Sequence, residues 1–191
     1  GVGGASAEVS PGVALLGALE LMHNDGPWTV PERLRRTNLV GSLAGGSSAQ
    51  GWSARLLDYR ASWTSTDQIP QALIDAGHYL GRPFGRFDSL DPTAGGDTRR
   101  TSAAAEWHGE DEAGRTRVAG YVQRYRLDLN SNFTYALDNE TDGDQFKQLD
   151  SRTVLGLSGS RTISHTLAGL EARSEVGLQL RHDRIRVGLY D

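Results

Sequence analysis

The chain has 191 residues, 37% of them hydrophobic, with 20 Lys+Arg against 24 Asp+Glu and a net charge of −4. No apolar run approaches the roughly 18–20 residues that a membrane helix needs, so helical spans are excluded, and the acidic balance leaves no nucleic-acid footprint. There is no cysteine, which removes disulfides, thiol nucleophiles and thiolate metal sites; Lys147 is the only lysine, which removes a Walker-type phosphate loop.

Period two dominates the pattern, and it predicts an all-β chain. In chain order, Gly1–Ala7 is a possible first strand, followed by alternation over Val13–His23, Arg36–Leu43, Ser53–Trp63 and Arg99–His108. Arg115–Tyr135 reads Tyr121, Tyr125, Leu127, Leu129, Phe133 and Tyr135 on one parity, against Arg124, Arg126, Asp128, Asn130 and Asn132 on the other. Gln148–Leu157 repeats the scheme. From Leu167 to Asp183, Val176, Leu178 and Leu180 alternate with Arg173, Glu175 and Arg181. About seven or eight antiparallel strands are expected, each paired with its sequence neighbour. At about 3.3 Å per residue, Arg115–Tyr135 would extend for roughly 65–70 Å, long for a soluble sandwich and suited to a barrel that rises above its membrane.

The connections alternate in length. Short links are expected near Gly45–Gln50, Gly109–Gly114 and Ser160–Thr166, and longer ones over Asn24–Glu32, Ser65–Asp97 and Asp138–Asp144. Short turns at one end and long, extracellular loops at the other fit an up-and-down transmembrane barrel. The largest loop carries a short helix signal over 67–77, with Asp67 as a cap, Pro70 in the first turn and Gly77 as a left-handed stop.

Alternation alone does not say which face meets lipid. Arginines and carboxylates mixed on one parity suit a wet or plugged lumen, so Arg124, Arg126, Asp128, Asn130, Arg173, Glu175 and Arg181 are expected to face it. Aromatics such as Trp52, Tyr59, Trp63, Trp107, Tyr121 and Tyr125 are expected on the lipid side as interfacial girdles.

Motifs that carry chemistry are sparse. His23, His78, His108, His165 and His182 have no metal-ligand spacing, so no metal site or cofactor is expected. Asp138–Asp144 resembles a calcium loop, but Leu149 stands where the bidentate Glu would be. Gly156-Leu157-Ser158-Gly159-Ser160 misses the Gly-x-Ser-x-Gly elbow at its last position. No active site emerges, and the chain reads as a non-enzyme.

The run Leu19–Trp28 followed by Arg35-Arg36-Thr37-Asn38, the stretch Tyr59–Pro70, and Gly85–Thr93 resemble, in that order, the hairpins and the large loop of TonB-dependent outer-membrane receptors. The resemblance covers essentially the whole chain, which on that basis is a partial barrel domain, 1–191, without plug, TonB box or closing strand. It implies a barrel of about 22 strands closed around a plug. It also implies the outer membrane as location, with the lipid bilayer, the plug of the same parent chain, TonB and a small ligand such as a ferric siderophore or cobalamin as partners. The absent initiator Met and the apolar alternation to the last residues fit a piece of such a parent. The loops Asn24–Glu32 and Ser65–Asp97 are then expected to capture ligand through Trp28, His78, Tyr79, Arg82 and Arg86. The alternatives are a secreted β-protein that binds or hydrolyses carbohydrate through carboxylates such as Glu106 and Asp111, and another outer-membrane barrel such as a porin or an autotransporter translocator.

Overall fold

The computed structural model describes residues 1–66, 68–135, 137–139 and 144–190. The expected cap Asp67 and the centre of the calcium-like loop, 140–143, lie outside them. The described chain is all-β. β1 (Val2–Ser10), β2 (Val13–Asn24), β3 (Leu34–Gly46), β4 (Gln50–Thr64), β7 (Gly95–Asp111), β8 (Gly114–Ser131), β9 (Phe146–Leu167) and β10 (Leu170–Tyr190) form one antiparallel sheet in that order, so each pairs with the next. The sheet is open, with β1 and β10 as its edges. A two-residue ribbon, β5 (His78–Tyr79) with β6 (Arg82–Pro83), and one helix, α1 (Gln71–Ala76), stand in the loop between β4 and β7.

The long strands follow from uninterrupted alternation. β9 runs 22 residues and β10 runs 21. The link expected at Ser160–Thr166 is strand: the chain turns at Ala168-Gly169, both at positive φ (51° and 78°), the left-handed pair that a two-residue hairpin requires. Serine, threonine and arginine give this stretch the composition of a turn, but Ile163 alternates with polar neighbours as a strand residue does. At the β7–β8 turn the Asp111 carboxylate accepts the backbone N–H groups of Ala113 and Gly114 at 3.0 and 3.1 Å. In α1, Pro70 takes the N-cap rather than a first-turn position, and Gly77 ends the helix at φ 70°, donating to Ile74 and Leu73.

One sheet without a second layer has almost no core. The buried hydrophobic side chains are Ala61, Phe84, Ala94 and Val154, with Asp150 as the buried polar one. Ala61 and Asp150 stand in one cross-strand row through Thr98 and Leu127, near the end that carries the long loops. Many large apolar side chains, from Leu15 on β2 to Leu189 on β10, are exposed.

Candidate functional site

Cross-strand partners project to the same side of a sheet, so the register assigns every strand residue to one of two faces. On one face the rows hold Leu15, Leu19 and Leu21 of β2, Leu39 and Leu43 of β3, and Trp52, Ala54 and Leu56 of β4. They continue through Ala103, Ala105 and Trp107 of β7 and Val118, Gly120 and Val122 of β8. Leu155, Leu157 and Gly159 of β9 and Val176, Leu178 and Leu180 of β10 complete a band without a single charge. Polar residues flank it eight positions apart on four strands: Asp58 and Gln50, Arg124 and Thr116, Thr153 and Arg161, His182 and Ser174.

The band is not level with the hydrogen-bonded rows. Its last apolar residue toward the loops is Leu21 on β2, whose row runs through Thr37 and Arg60 to Arg99. On β10 it is Leu180, whose row runs through Leu157 and Gly120 to Ala105. Position 99 to position 105 on β7 is a drift of six residues across six strand-to-strand steps. One residue, about 3.3 Å, per strand spacing of about 4.8 Å means that the band crosses the strands as it would if they leaned about 35° from its normal.

The opposite face at the same height is polar. It carries Arg55, Glu106, Arg117, Gln179, Arg181 and Asp183, with Arg117 to Glu106 at 2.6 Å and Arg181 to Asp183 at 2.9 Å. Toward the loops this face turns apolar: Trp63 and Leu129 close in over Gly96, where an added Cβ would meet them at 3.0 and 3.1 Å.

The register therefore corrects the expectation that seven polar residues share one face. Arg124, Arg126, Asp128 and Asn130 lie on the face of the apolar band, above it; Arg173, Glu175 and Arg181 lie on the opposite face. Arg124 pairs with Thr153 and through it with Arg184, whereas Arg181 pairs with Gly156 and through it with Tyr121. The aromatics divide too. Trp52 and Trp107 are direct partners at the edge of the band away from the long loops, while Tyr59, Trp63, Tyr121 and Tyr125 are on the opposite face. Four aromatics or leucines on one parity of β8 outweighed Val118 and Val122 on the other. Phe133 and Tyr135 follow the end of the strand.

The three long connections emerge at one end and are tied together. Glu32 accepts from the Trp28 indole N–H at 3.0 Å, the Thr29 amide donates to the Phe87 carbonyl at 2.9 Å, and the Trp28 and Phe87 rings are 6.0 Å apart. The Arg86 guanidinium lies 5.9 Å from the centre of the Phe87 ring. Loop 65–94 is joined in turn to loop 132–145. The Asp91 carboxylate accepts from Asn132 at 2.8 Å and from Gln145 at 3.0 Å, and Gln145 also donates to Thr93 at 2.7 Å. Burial alone would raise the Asp91 carboxyl, but hydrogen bonds from Thr93, Asn132 and Gln145 outweigh it and hold it below its ordinary range. Asp144 is lowered by a hydrogen bond from Thr134 and by the backbone N–H groups of Asp138, Asn139 and Leu137.

Of the five residues expected to touch ligand, the structure brings Trp28 and Arg86 together around Phe87. His78, Tyr79 and Arg82 share the β5–β6 ribbon, where Tyr79 pairs with Arg82 and packs on Phe84 at 5.6 Å. His78 and the two arginines are exposed; Trp28 and Tyr79 are half-buried. Phe87, Asp91 and Gln145, which organise the loops, were missed because nothing in spacing marks a residue that acts between loops. No protein-family model matches this chain, and comparison with curated proteins and with solved structures gave no match.

Proposed function

We propose that this sheet is part of the wall of a transmembrane β-barrel in the outer membrane, and that the barrel is a receptor of the TonB-dependent type. The observation that carries the reading is the charge-free band and its drift of one residue per strand. A polar flank every eight residues is about 26 Å along the strand, or about 21 Å along the band's normal at a lean of about 35°, close to the ~25 Å apolar height of such barrels. The lean matches the ~35–45° tilt of barrel strands. Paired Trp52 and Trp107 at the band's edge suit an interfacial girdle.

A soluble sandwich would bury one face against a second sheet. Here the apolar band has no such layer in the described residues, and the face behind it bears ion pairs suited to water or a plug. The interlocked loops at the far end would sit outside the cell, and Trp28, Arg86, His78, Tyr79 and Arg82 would offer aromatic and cationic contacts to an anionic or planar ligand. Uptake of an iron chelate or cobalamin, energised through TonB and a plug, extends the resemblance carried by the hairpin motifs. Its test is accumulation of a radiolabelled ferric chelate by cells with and without the parent gene, and again with loop 65–94 deleted. Loss of uptake in both supports a receptor; unchanged uptake in the gene deletion contradicts it.

A further inference from the structure

On the loop side of the apolar band, on the same face, the register lines up arginines, which stand two to six residues beyond the last apolar residue of their strands because the band crosses the rows obliquely. Arg60, Arg99 and Arg126 are consecutive partners on β4, β7 and β8, and their row continues through Ser151 to Arg186 on β10. The next row toward the band adds Arg124 and Arg184, separated by Thr153. Like charges set directly opposite one another weaken a sheet. Asp58 answers two of the six, accepting from Arg60 at 2.8 Å and from Arg99 at 3.1 Å. Asp128 is engaged by Lys147 at 3.0 Å. Among the described residues the guanidinium groups of Arg124, Arg126, Arg184 and Arg186 have no carboxylate or other hydrogen-bond partner, and all four side chains are exposed. The face thus concentrates positive charge in a chain whose net charge is −4.

We propose that this arginine row binds the phosphate groups of anionic lipid headgroups in the leaflet at the loop end of the barrel. The inference rests on the membrane reading above and adds a headgroup site to it. Three observations favour a lipid occupant. Arg124 stands two residues beyond Val122 of the band, and Arg126 and Arg184 stand four beyond Val122 and Leu180, so a lipid whose chains lie against Leu155, Leu157 and Leu180 directs its headgroup toward them. Rows spaced by about 4.8 Å across strands and about 6.6 Å along them let neighbouring guanidinium groups share one phosphate in forked hydrogen bonds. The charge lies on the band's face, whereas a loop-bound ligand would be met from the loops. Basic clusters beside a bilayer recruit anionic lipid in this way.

The test uses the purified full chain in neutral detergent, titrated with short-chain phosphatidic acid or with an uncharged glycolipid of equal chain length, with bound lipid counted by native mass spectrometry. The wild type should prefer phosphatidic acid at least tenfold, and the variant Arg124→Gln/Arg126→Gln/Arg184→Gln/Arg186→Gln should lose that preference while still retaining the glycolipid. The single variants Arg124→Gln and Arg126→Gln, which leave the sheet's packing untouched, should each lower the preference about threefold; Arg173→Gln, on the opposite face, should leave it unchanged. Equal wild-type affinity for the two lipids, a preference that survives the substitutions, or complete competition by inorganic phosphate or heparin would overturn the headgroup site while the membrane reading stands. Retention of neither lipid by the wild type would overturn both.

Discussion

Tyr121 and Gly156 are partners across β8 and β9, and the Tyr121 ring occupies the space that a Cβ on Gly156 would need. An aromatic covering a cross-strand glycine restores the side-chain contact that the glycine lacks. Gly156→Val would drive the ring off its strand. Overpacking of this kind costs about 1–3 kcal/mol. Thermal unfolding in detergent should show that loss, and Gly156→Val with Tyr121→Ala should recover part of it.

The two faces should differ sharply in their tolerance of charge. Leu178→Arg, in the middle of the band, should cost about 2–4 kcal/mol in bilayer stability, whereas Gln179→Arg on the opposite face should cost little. Reversible unfolding from phospholipid vesicles measures both. Equal costs would remove the distinction between the faces.

Phe87 links the first long loop to the second through Trp28 and the Thr29 amide. Aromatic pairs contribute about 0.5–1.5 kcal/mol beyond buried area. Phe87→Ala should therefore speed amide exchange across 25–33 and redden Trp28 emission, with exchange in β8 and β9 unchanged.

Acid should loosen the loops before the sheet. Asp91 and Asp144 are both lowered in the folded chain from an ordinary value of 3.8. The ionised form is thus favoured by folding, so their contribution is complete above about pH 4–5 and fades as pH falls through the lowered folded values. Amide exchange, corrected for its intrinsic pH dependence, should show protection at Thr93 and at 137–139 lost in that window. In Asp91→Asn the Thr93 amide should be less protected at neutral pH and should lose its acid response.

The alternation of Leu178 with Gln179, or of Leu155 with Gly156, is a direct readout of strand geometry, so the strands, their order and most of the connections were legible in the sequence; the link expected at Ser160–Thr166 is part of β9 instead. The faces were not, because parity inside one strand carries no information about its neighbour. Arg124 and Arg181 both alternate with apolar residues, yet the register sets them on opposite sides. β8 misleads for a physical reason. Its apolar residues change face along its length, from Val118 and Val122 on the band to Leu127 and Leu129 under the loops. Loop partners such as Asp91 and Gln145, 54 residues apart, left no local pattern to read.

Whether the charge-free face meets lipid is read out by adjacent residues of β9. The chain has no cysteine, so Leu157→Cys and Ser158→Cys each give one labelling site. Both are labelled with the same environment-sensitive fluorophore on the full chain in lipid vesicles, and quenching by a mid-chain nitroxide lipid is compared with quenching by iodide. Strong nitroxide and weak iodide quenching are expected at 157, and the reverse at 158. Iodide quenching at 157 as strong as at 158, or nitroxide quenching at 158 alone, would contradict lipid contact at this face.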